Sequence, residues 1–546
     1  MSTVDRFATE FIRKSNPHMS ALKATVETAF YGNNVREITN LAEAYEQAVK
    51  APNTLVLDAL VSHATELGLP EDAHILAITD GKVVGRTAKA RRILGTNPKE
   101  DAILLPIARE AVYQASFKPF LKASAVVGLD EDFMVRAHIT MPEREINNLY
   151  SWLLNFQIYN DTYKKRYLDS TKFNENDIYI FFDPTWSHPD YPDGLAFFDT
   201  THNTAIILGM SYFGEIKKGT LTLAWATAAR NNFVSCHGGL KIFRKEDKSY
   251  VASFFGLSGS GKSTLTHAKH DGKYDIKVLH DDAFVISVEN GSSIALEPSY
   301  FDKTNDYPAG HREQEFFVTV QNCGITLDEN GNRVLVTEDV RNGNGRTVKS
   351  RYATPNRVDK IEEPIQSIFW IMKDDSLPPL VKVNNANLAS ILGCTLMTKR
   401  SSAENTAANL DSLVIEPYAN PFRVYPLVED FDKFKALFDK GVDCYIINTG
   451  EYLGKKVTPA VSLGAIESVV DGTAKFTSFG DIDGFEYLVV DGHEVPELSG
   501  DYAKLIKERM AFRLNYLKEF NASHPEETIP ETALEELEKV IAATDK

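Results

Sequence analysis

The alternation of apolar and polar residues along the chain predicts a mixture of helices and strands. Up to about residue 51 apolar residues such as Phe7 and Phe11 recur every three or four positions, which predicts helix over residues 4–51. Helical spacing returns over residues 143–156 and in the C-terminal tail, residues 502–540. Short apolar runs bounded by turn residues predict buried strands. These runs are residues 125–129, 133–139, 177–182, 204–209, 250–255, 275–280, 367–372 and 444–450. Residues 54–58 and 74–78 are expected to be short buried elements of either kind.

The length of the chain predicts more than one domain. A single hydrophobic core stops growing well before 546 residues, so we expect two or three domains or lobes. The composition, 43% hydrophobic and 25% charged, is typical of a globular protein in water. No segment is apolar over the length that spans a bilayer, and the charged N-terminal residues lack the apolar centre of a signal peptide.

Charge and cysteine content narrow the expected partners and compartment. The 59 basic and 76 acidic residues give a net charge of -17, which disfavours nucleic acid or an anionic membrane as the main partner. Four widely spaced cysteines, with no CxxC pair, are expected to be reduced thiols. We therefore expect a cytoplasmic protein.

A phosphate-binding loop is the strongest chemical signal in the chain. The pattern G-x-x-x-x-G-K-S follows the predicted strand 250–255 and precedes residues that can open a helix. Its glycines allow backbone N–H groups to point at phosphate oxygens, Lys262 would reach the terminal phosphates, and the Ser263 hydroxyl would bind Mg²⁺. The alternative is a Gly-Ser turn that binds nothing. The loop residues are Gly256, Leu257, Ser258, Gly259, Ser260, Gly261, Lys262, Ser263 and Thr264.

Two further features carry charge at predicted turns. Asp281 and Asp282 end a predicted strand downstream of the loop, where a carboxylate can hold the metal ion of a nucleotide. A surface turn is the other interpretation of this pair. Four cations lie within residues 86–92, after a hairpin signal at Asp80-Gly81. That cluster is either a solvated loop or a site for an anionic ligand.

In combination these motifs resemble the ATP-dependent phosphoenolpyruvate carboxykinases, in the same order along the chain. The loop is similar to G-L-S-G-[ST]-G-K-[ST]-T, and Asp281-Asp282 to a D-D pair of that family. Residues 214–219 resemble G-E-M-K-K-G, and residues 85–89 resemble G-R-S-P-K. His237 lies where the family has a metal-binding histidine. Weaker similarities are Lys303-Thr304, Glu416-Pro417 and residues 447–450.

The resemblance implies an activity and a set of residue roles. Members convert oxaloacetate and ATP into phosphoenolpyruvate, ADP and CO₂, with Mg²⁺ and Mn²⁺ as metal cofactors. The implied Mn²⁺ ligands are Lys218, His237 and Asp282, and Lys217 would help to depress the pKa of Lys218 so that it can bind metal. The implied catalytic residues are Arg86, Lys217, Lys218, Arg351 and Lys262. The implied substrate-binding residues are Arg86, Tyr212, Lys218 and Arg351. Lys303 and Lys456 would add to the ATP site.

The chain departs from the family pattern at four places. Residues 209–213 lack the tryptophan of G-T-W-Y, and Ala283 replaces the third acidic residue after the aspartate pair. Residues 399–404 replace a lid loop that contains G-T-E, and Lys456 stands where an arginine lies near adenine. The last two departures concern lid closure and base recognition.

The resemblance also implies an architecture. We expect an α/β protein with a mixed α+β N-terminal lobe, a nucleotide-binding lobe that contains the phosphate loop, and an active site in the cleft between them. The expected segments are a substrate-binding lobe 1–232, a nucleotide-binding lobe 233–344, a smaller subdomain with the lid 345–425, and a return to the nucleotide-binding lobe over 426–546. We expect a monomer.

Two other functions fit the motifs. The first is a kinase on the same scaffold that phosphorylates another small molecule or a protein hydroxyl. The second is a nucleotide-binding regulator, which would need only the phosphate loop and Mg²⁺. The arginines and the Lys/His/Asp set distinguish the carboxykinase from the regulator.

Overall fold

The computed structural model describes residues 18–78, 90–257, 259–338, 345–399 and 413–545. The described residues divide into two compact units. Unit 1 is Met1–Thr227 with Leu296–Pro355, and unit 2 is Ala228–Ala295 with Asn356–Lys546. Among the described residues, no helix is both long enough and apolar enough to cross a membrane.

Strands and helices are numbered in chain order. The first ten strands, in unit 1, are β1 (Val35–Glu37), β2 (Thr54–Leu60), β3 (His74–Ile78), β4 (Arg91–Ile93), β5 (Phe120–Asp130), β6 (Phe133–Pro142), β7 (Gln157–Ile158), β8 (Ile178–Asp183), β9 (Leu195–Asp199) and β10 (Thr204–Leu208). The next six, in unit 2, are β11 (Phe233–His237), β12 (Gly239–Lys245), β13 (Lys248–Phe255), β14 (Asp275–His280), β15 (Ala283–Ser287) and β16 (Ser293–Ala295). Unit 1 then adds β17 (Tyr300–Lys303), β18 (Phe317–Gln321), β19 (Gly324–Leu327), β20 (Arg333–Val336) and β21 (Arg346–Lys349). Unit 2 ends with β22 (Lys360–Ile361), β23 (Ser367–Met372), β24 (Leu380–Val383), β25 (Met397–Lys399), β26 (Leu413–Ile415), β27 (Asp443–Asn448), β28 (Glu451–Tyr452), β29 (Lys455–Lys456), β30 (Phe476–Ser478) and β31 (Phe485–Leu488).

The helices are distributed over both units. Those that begin in unit 1 are α1 (Ala21–Thr28), α2 (Leu41–Ala48), α3 (Pro98–Ala115), α4 (Ile146–Asn155), α5 (Asp161–Asp169) and α6 (Phe213–Arg230). Those of unit 2 are α7 (Lys262–His267), α8 (Ala386–Cys394), α9 (Leu427–Asp439), α10 (Pro459–Val470), α11 (Gly500–Ser523) and α12 (Glu531–Ala543).

Unit 1 is built on two larger sheets. The first has the strand order β1-β5-β6-β8-β10-β9-β4, with β7 paired to β5, and its strands β8, β9 and β10 are buried along their whole length. The second has the order β17-β21-β18-β3-β2. Strands β17, β18 and β21 therefore join a sheet with β2 and β3, which explains why residues 296–355 belong to unit 1. The expected segments had placed residues 296–344 in the nucleotide-binding lobe.

Unit 2 is built on a mixed sheet with the order β14-β12-β13-β23-β27-β24-β31-β30. A smaller sheet has the order β11-β15-β16-β22. Aromatic rings fill the core against the larger sheet, where Phe254, Phe369 and Tyr445 stack on neighbouring strands with centroids 5.1 and 4.9 Å apart. Such cross-strand stacking stabilises the order of the central strands.

The apolar runs predict the strands well, because each of the eight predicted strands overlaps an observed one. The two short buried elements, residues 54–58 and 74–78, are the strands β2 and β3. The predicted N-terminal helix is wrong at residues 35–37, because β1 pairs in parallel with residues 120–122 of β5 after the Gly32-Asn33-Asn34 turn. Helix α6 was not predicted. Every residue from 219 to 229 is buried, so this helix has no exposed polar face and no amphipathic period to detect.

Candidate active site

Four strands of unit 2 bring polar residues to one edge of the larger sheet. Strands β13, β23 and β27 are parallel, and β12 is antiparallel to both β13 and β14. The carboxyl ends of β13, β14, β23 and β27 therefore lie at the same edge, the usual place for a ligand site in such sheets. The residues that follow these four ends are the phosphate loop, Asp281-Asp282, Lys373 and Thr449.

The phosphate loop has the backbone geometry that its glycines predict. Gly259 and Gly261 have φ of +80° and +99°, which side chains disfavour, and the chain turns at Gly261 directly into α7. The Ser260 N–H donates to the carbonyl oxygen of Leu257 at 3.0 Å. The buried Ser260 Oγ has no hydrogen-bond partner among the described residues. A phosphate oxygen is the kind of acceptor that would satisfy this hydroxyl.

His237 and Asp282 meet at the end of the smaller sheet. The register of β11 and β15 pairs His237 with Ala283, the residue that follows Asp282. The histidine therefore lies beside Asp282, and its Nε2 is 3.0 Å from Asp282 Oδ1. That separation is about the spacing of neighbouring ligands on an octahedral ion with bonds of roughly 2.1 Å. His237 Nδ1 lies 2.5 Å from the carbonyl oxygen of Ala419, which can only accept. Nδ1 therefore carries a hydrogen, and Nε2 is the atom available to bind a metal ion.

Asp281 has a different role from Asp282. Its Oδ2 lies 3.3 Å from Nε2 of His267, which is on α7. Burial alone would raise the pKa of Asp281, but the hydrogen bond and charge of His267, with the charges of His280 and Lys262, hold that pKa well below its usual range. Asp281 therefore connects the end of β14 to the helix of the phosphate loop.

Helix α6 in unit 1 carries the two lysines of the G-E-I-K-K-G segment. Lys217 Nζ lies 2.9 Å from Glu297 Oε1, and both side chains are fully buried. Lys218 is half-buried, with Nζ 5.8 Å from the centroid of the Trp225 ring. Glu297 therefore compensates the charge of Lys217, so the neighbour of Lys218 on this helix is an ion-paired lysine.

Tyr212 precedes α6 and is also buried. Burial raises the pKa of its hydroxyl, and the charge and hydrogen bond of Arg346 oppose that rise. The ring packs so closely on Gly214 that a Cβ there would lie 2.3 Å from a ring carbon. Gly214 is thus required by the position of the tyrosine ring.

The remaining predicted residues are spread over both units. Arg351 is half-buried in a short turn of unit 1, and Lys303 ends β17 opposite Arg346 in the same unit. Lys456 is exposed on β29 in unit 2. Arg86, Ser258 and residues 400–404 of the expected lid lie outside the described residues.

Several residues that contact the predicted site residues were missed from the sequence. Glu297, Arg346 and Lys373 stand in no motif, and only their contacts identify them. Thr449 belongs to residues 447–450, which weakly resemble a segment of the family, and this similarity could have identified it.

A sequence model of the phosphoenolpyruvate carboxykinase family matches residues 49–497 of the chain. The chain belongs to this family. The family predicted from the motifs is thus confirmed, and the matched residues include the phosphate loop, both aspartates, His237 and both lysines of α6.

Individual relatives are distant. An ATP-type phosphoenolpyruvate carboxykinase of Aeropyrum pernix is 24% identical over 354 residues, which are 60% of this chain and 70% of the relative. One of Staphylococcus haemolyticus is 27% identical over 287 residues, 50% of this chain and 51% of the relative. One of Campylobacter jejuni is 24% identical over 320 residues, 54% of this chain and 58% of the relative. The matches to the last two span only about half the length of those carboxykinases.

Proposed function

We propose that the protein is an ATP-dependent phosphoenolpyruvate carboxykinase that converts oxaloacetate to phosphoenolpyruvate in gluconeogenesis. The observation that carries the proposal is the single sheet edge of unit 2, where the phosphate loop and Asp281-Asp282 lie together in a chain of this family. The relatives, all named for this activity, favour it over a kinase with another acceptor.

The reaction divides into two bond changes. Cleavage of the bond between the methylene carbon of oxaloacetate and its carboxylate, which is β to the ketone, releases CO₂ and leaves the electron pair in an enolate. The enolate oxygen then attacks the γ-phosphorus of ATP, and the bond from that phosphorus to the bridging oxygen breaks to give ADP. The protein has to place the two substrates and stabilise negative charge as it moves between them.

The phosphate loop binds ATP in this proposal. Lys262 contacts the terminal phosphates, and the hydroxyl of Ser263 is a ligand for the Mg²⁺ of the nucleotide. The unpartnered hydroxyl of Ser260 supports a phosphate next to the loop. Lys303 and Lys456 remain proposed contacts of ATP on the basis of the resemblance.

His237 and Asp282 suit a divalent cation such as Mn²⁺. Their donor atoms are 3.0 Å apart, and the carbonyl of Ala419 fixes the histidine ring. Lys218 is the proposed third protein ligand, on the basis of the resemblance. Bound there, the ion would supply positive charge for the enolate oxygen.

Tyr212, Arg351, Arg86 and Lys218 are the proposed contacts of oxaloacetate. An arginine can bind a carboxylate through two parallel hydrogen bonds, which lysine cannot. The buried, uncharged hydroxyl of Tyr212 can donate to a carboxylate oxygen.

A coupled assay tests the proposed activity. The purified protein is incubated with oxaloacetate, ATP, Mg²⁺ and Mn²⁺, and phosphoenolpyruvate is measured, with GTP in place of ATP as the specificity control. We expect product with ATP, little with GTP, and none from Lys262→Ala. ATP consumption without loss of oxaloacetate beyond its spontaneous decay would instead indicate another acceptor.

Metal binding has a separate readout. Electron paramagnetic resonance of added Mn²⁺ measures the bound fraction without turnover, and we expect His237→Ala and Asp282→Asn each to weaken binding by tenfold or more. His524→Ala, at the exposed end of α11, is the matched control. Unchanged Mn²⁺ binding in both variants would show that His237 and Asp282 are not the ligands of the metal ion.

We further propose that the protein acts as a monomer in the cytoplasm. The four cysteines are all free thiols and buried, which suits a reducing compartment. Sedimentation velocity measures the mass of the protein in solution and so tests whether it is a monomer.

A further inference from the structure

The carbonyl groups of the phosphate loop accept hydrogen bonds from two neighbouring strand ends. Thr449 Oγ1 donates to the carbonyl oxygen of Ser260 at 2.6 Å, and Lys373 Nζ donates to that of Gly259 at 2.7 Å. Lys373 follows β23, which is next to β13 in the sheet, and Thr449 follows β27, which is next to β23. Consecutive peptide groups of the loop are thus held from outside the loop.

These bonds determine where the loop N–H groups point. In a planar trans peptide the N–H points opposite to the C=O, so fixing the carbonyl fixes the donor. The peptide between Gly259 and Ser260 is held on both sides, because its carbonyl accepts from Lys373 and its N–H donates to the carbonyl oxygen of Leu257. The peptide between Ser260 and Gly261 is held by Thr449 at its carbonyl, which directs the N–H of Gly261 to the opposite side.

The two donors are themselves held firmly. The N–H of Thr449 donates to the carbonyl oxygen of Met372 at 3.1 Å, which joins the ends of β27 and β23. Next to it, the buried Asn448 Nδ2 donates to the carbonyl oxygens of Asp374, Leu377 and Glu451 at 2.7 to 2.9 Å. The two N–H bonds of this amide are shared among three carbonyl groups, which restricts the surrounding loops to one arrangement.

A buried ion pair anchors this arrangement to α11. Asp374 follows Lys373 and is fully buried, with Oδ2 3.7 Å from the guanidinium of Arg513, which is also fully buried. The Ser376 hydroxyl donates to the other carboxylate oxygen at 2.7 Å. The segment that presents Lys373 is therefore attached to α11.

We propose that Thr449 and Lys373 are positioning residues that hold the phosphate loop in the conformation that binds the nucleotide phosphates. The inference rests on the proposed function. Neither side chain fills the core, since both are only half-buried and Gly259 is exposed. Their loss should therefore weaken nucleotide binding more than it weakens the fold.

Calorimetric titration with Mg-ADP tests the proposal on the full chain. Thr449→Val keeps the shape and removes the donor, and Lys373→Met does the same for the ammonium group. We expect each substitution to weaken Mg-ADP binding about tenfold, because a tenfold change in affinity corresponds to the net free energy of about one hydrogen bond. Thr449→Ser keeps the hydroxyl and should restore binding to within about twofold of wild type. In turnover, KM for ATP should rise while KM for oxaloacetate stays constant.

Two controls isolate the effect of the loop. Thr473→Val removes a weak bond from an exposed threonine to the carbonyl of Ser468, and Lys382→Met removes a lysine paired with Asp443. Both lie in unit 2 away from the loop and should bind Mg-ADP like wild type. Wild-type affinity in Thr449→Val and Lys373→Met would overturn the positioning role, as would failure of Thr449→Ser to restore binding. If the wild-type protein itself does not bind Mg-ADP, the proposed function fails, and the positioning role fails with it.

Discussion

The buried ion pair of Lys217 and Glu297 gives a sharp prediction about α6. Both side chains are fully buried, and the Nζ–Oε1 distance is 2.9 Å. At an effective dielectric constant of about 20 their attraction is about 6 kcal/mol, most of which offsets the cost of removing two charges from water. Removal of one partner leaves the other charge buried and unpaired.

We therefore expect Lys217→Met and Glu297→Gln each to lower the free energy of unfolding of unit 1 by about 3–5 kcal/mol. The double variant Lys217→Met/Glu297→Gln should lose less than the sum of the two, because no uncompensated charge remains. Asn155 Nδ2, which donates to Glu297 Oε2 at 2.5 Å, can still find the amide oxygen of a glutamine.

Urea unfolding followed by tryptophan fluorescence measures these differences. Of the four tryptophans, Trp152, Trp186 and Trp225 are in unit 1, so a Trp370→Phe background confines the signal to that unit. The control is the exposed pair of Lys518 and Glu538, 2.8 Å apart, where the same changes should cost under about 1 kcal/mol. Additive losses in the double variant would refute the coupling. A Lys217→Met protein with wild-type stability and no turnover would show that the lysine acts on the substrate instead.

Three further changes have defined outcomes. Gly214→Ala forces the Tyr212 ring away from its position, so KM for oxaloacetate should rise on the order of tenfold while the affinity for Mg-ADP stays unchanged. An unchanged KM for oxaloacetate would show that Tyr212 does not contact this substrate. Burial raises the pKa of Asp430 to about 7 against the opposing charge of Arg423 and a hydrogen bond from Tyr425, so the folded state holds its proton more tightly than the unfolded state. Stability should consequently fall by up to about 4 kcal/mol as pH rises from about 4 to 7, and Asp430→Asn should lack this slope in urea unfolding at pH 4.5 and 7.5. Lys241→Met removes the donor to the carbonyls of Leu265 and Ala268 at the end of α7 and should cost about 1–3 kcal/mol in urea unfolding. The protein used keeps Trp370, which reports on unit 2, and a loss no greater than that of Lys382→Met would contradict the prediction.

Local patterns predicted the parts of the site that are contiguous in sequence. The glycines at 259 and 261 adopt the positive φ that the loop motif requires, and the loop joins a strand to a helix as expected. The aspartates follow the predicted strand β14. In these places the conformation depends on neighbouring residues, so sequence is sufficient.

Contacts between distant residues could not be predicted in this way. Lys217 and Glu297 are 80 positions apart, His237 and Ala419 182, and Thr449 and Ser260 189. The assignment of residues 296–355 to unit 1 likewise follows from the pairing of β18 with β3, which no local pattern specifies.

The sequence by itself determined the family, the phosphate loop and the identity of the metal-binding candidates, because each is a short pattern whose chemistry depends on residue type and spacing. Only the tertiary structure decided which of two adjacent lysines is tied up in a buried ion pair, which nitrogen of His237 faces Asp282, and which side chains hold the loop carbonyls. Those outcomes depend on strand order and register, which bring residues far apart in the chain within hydrogen-bond distance.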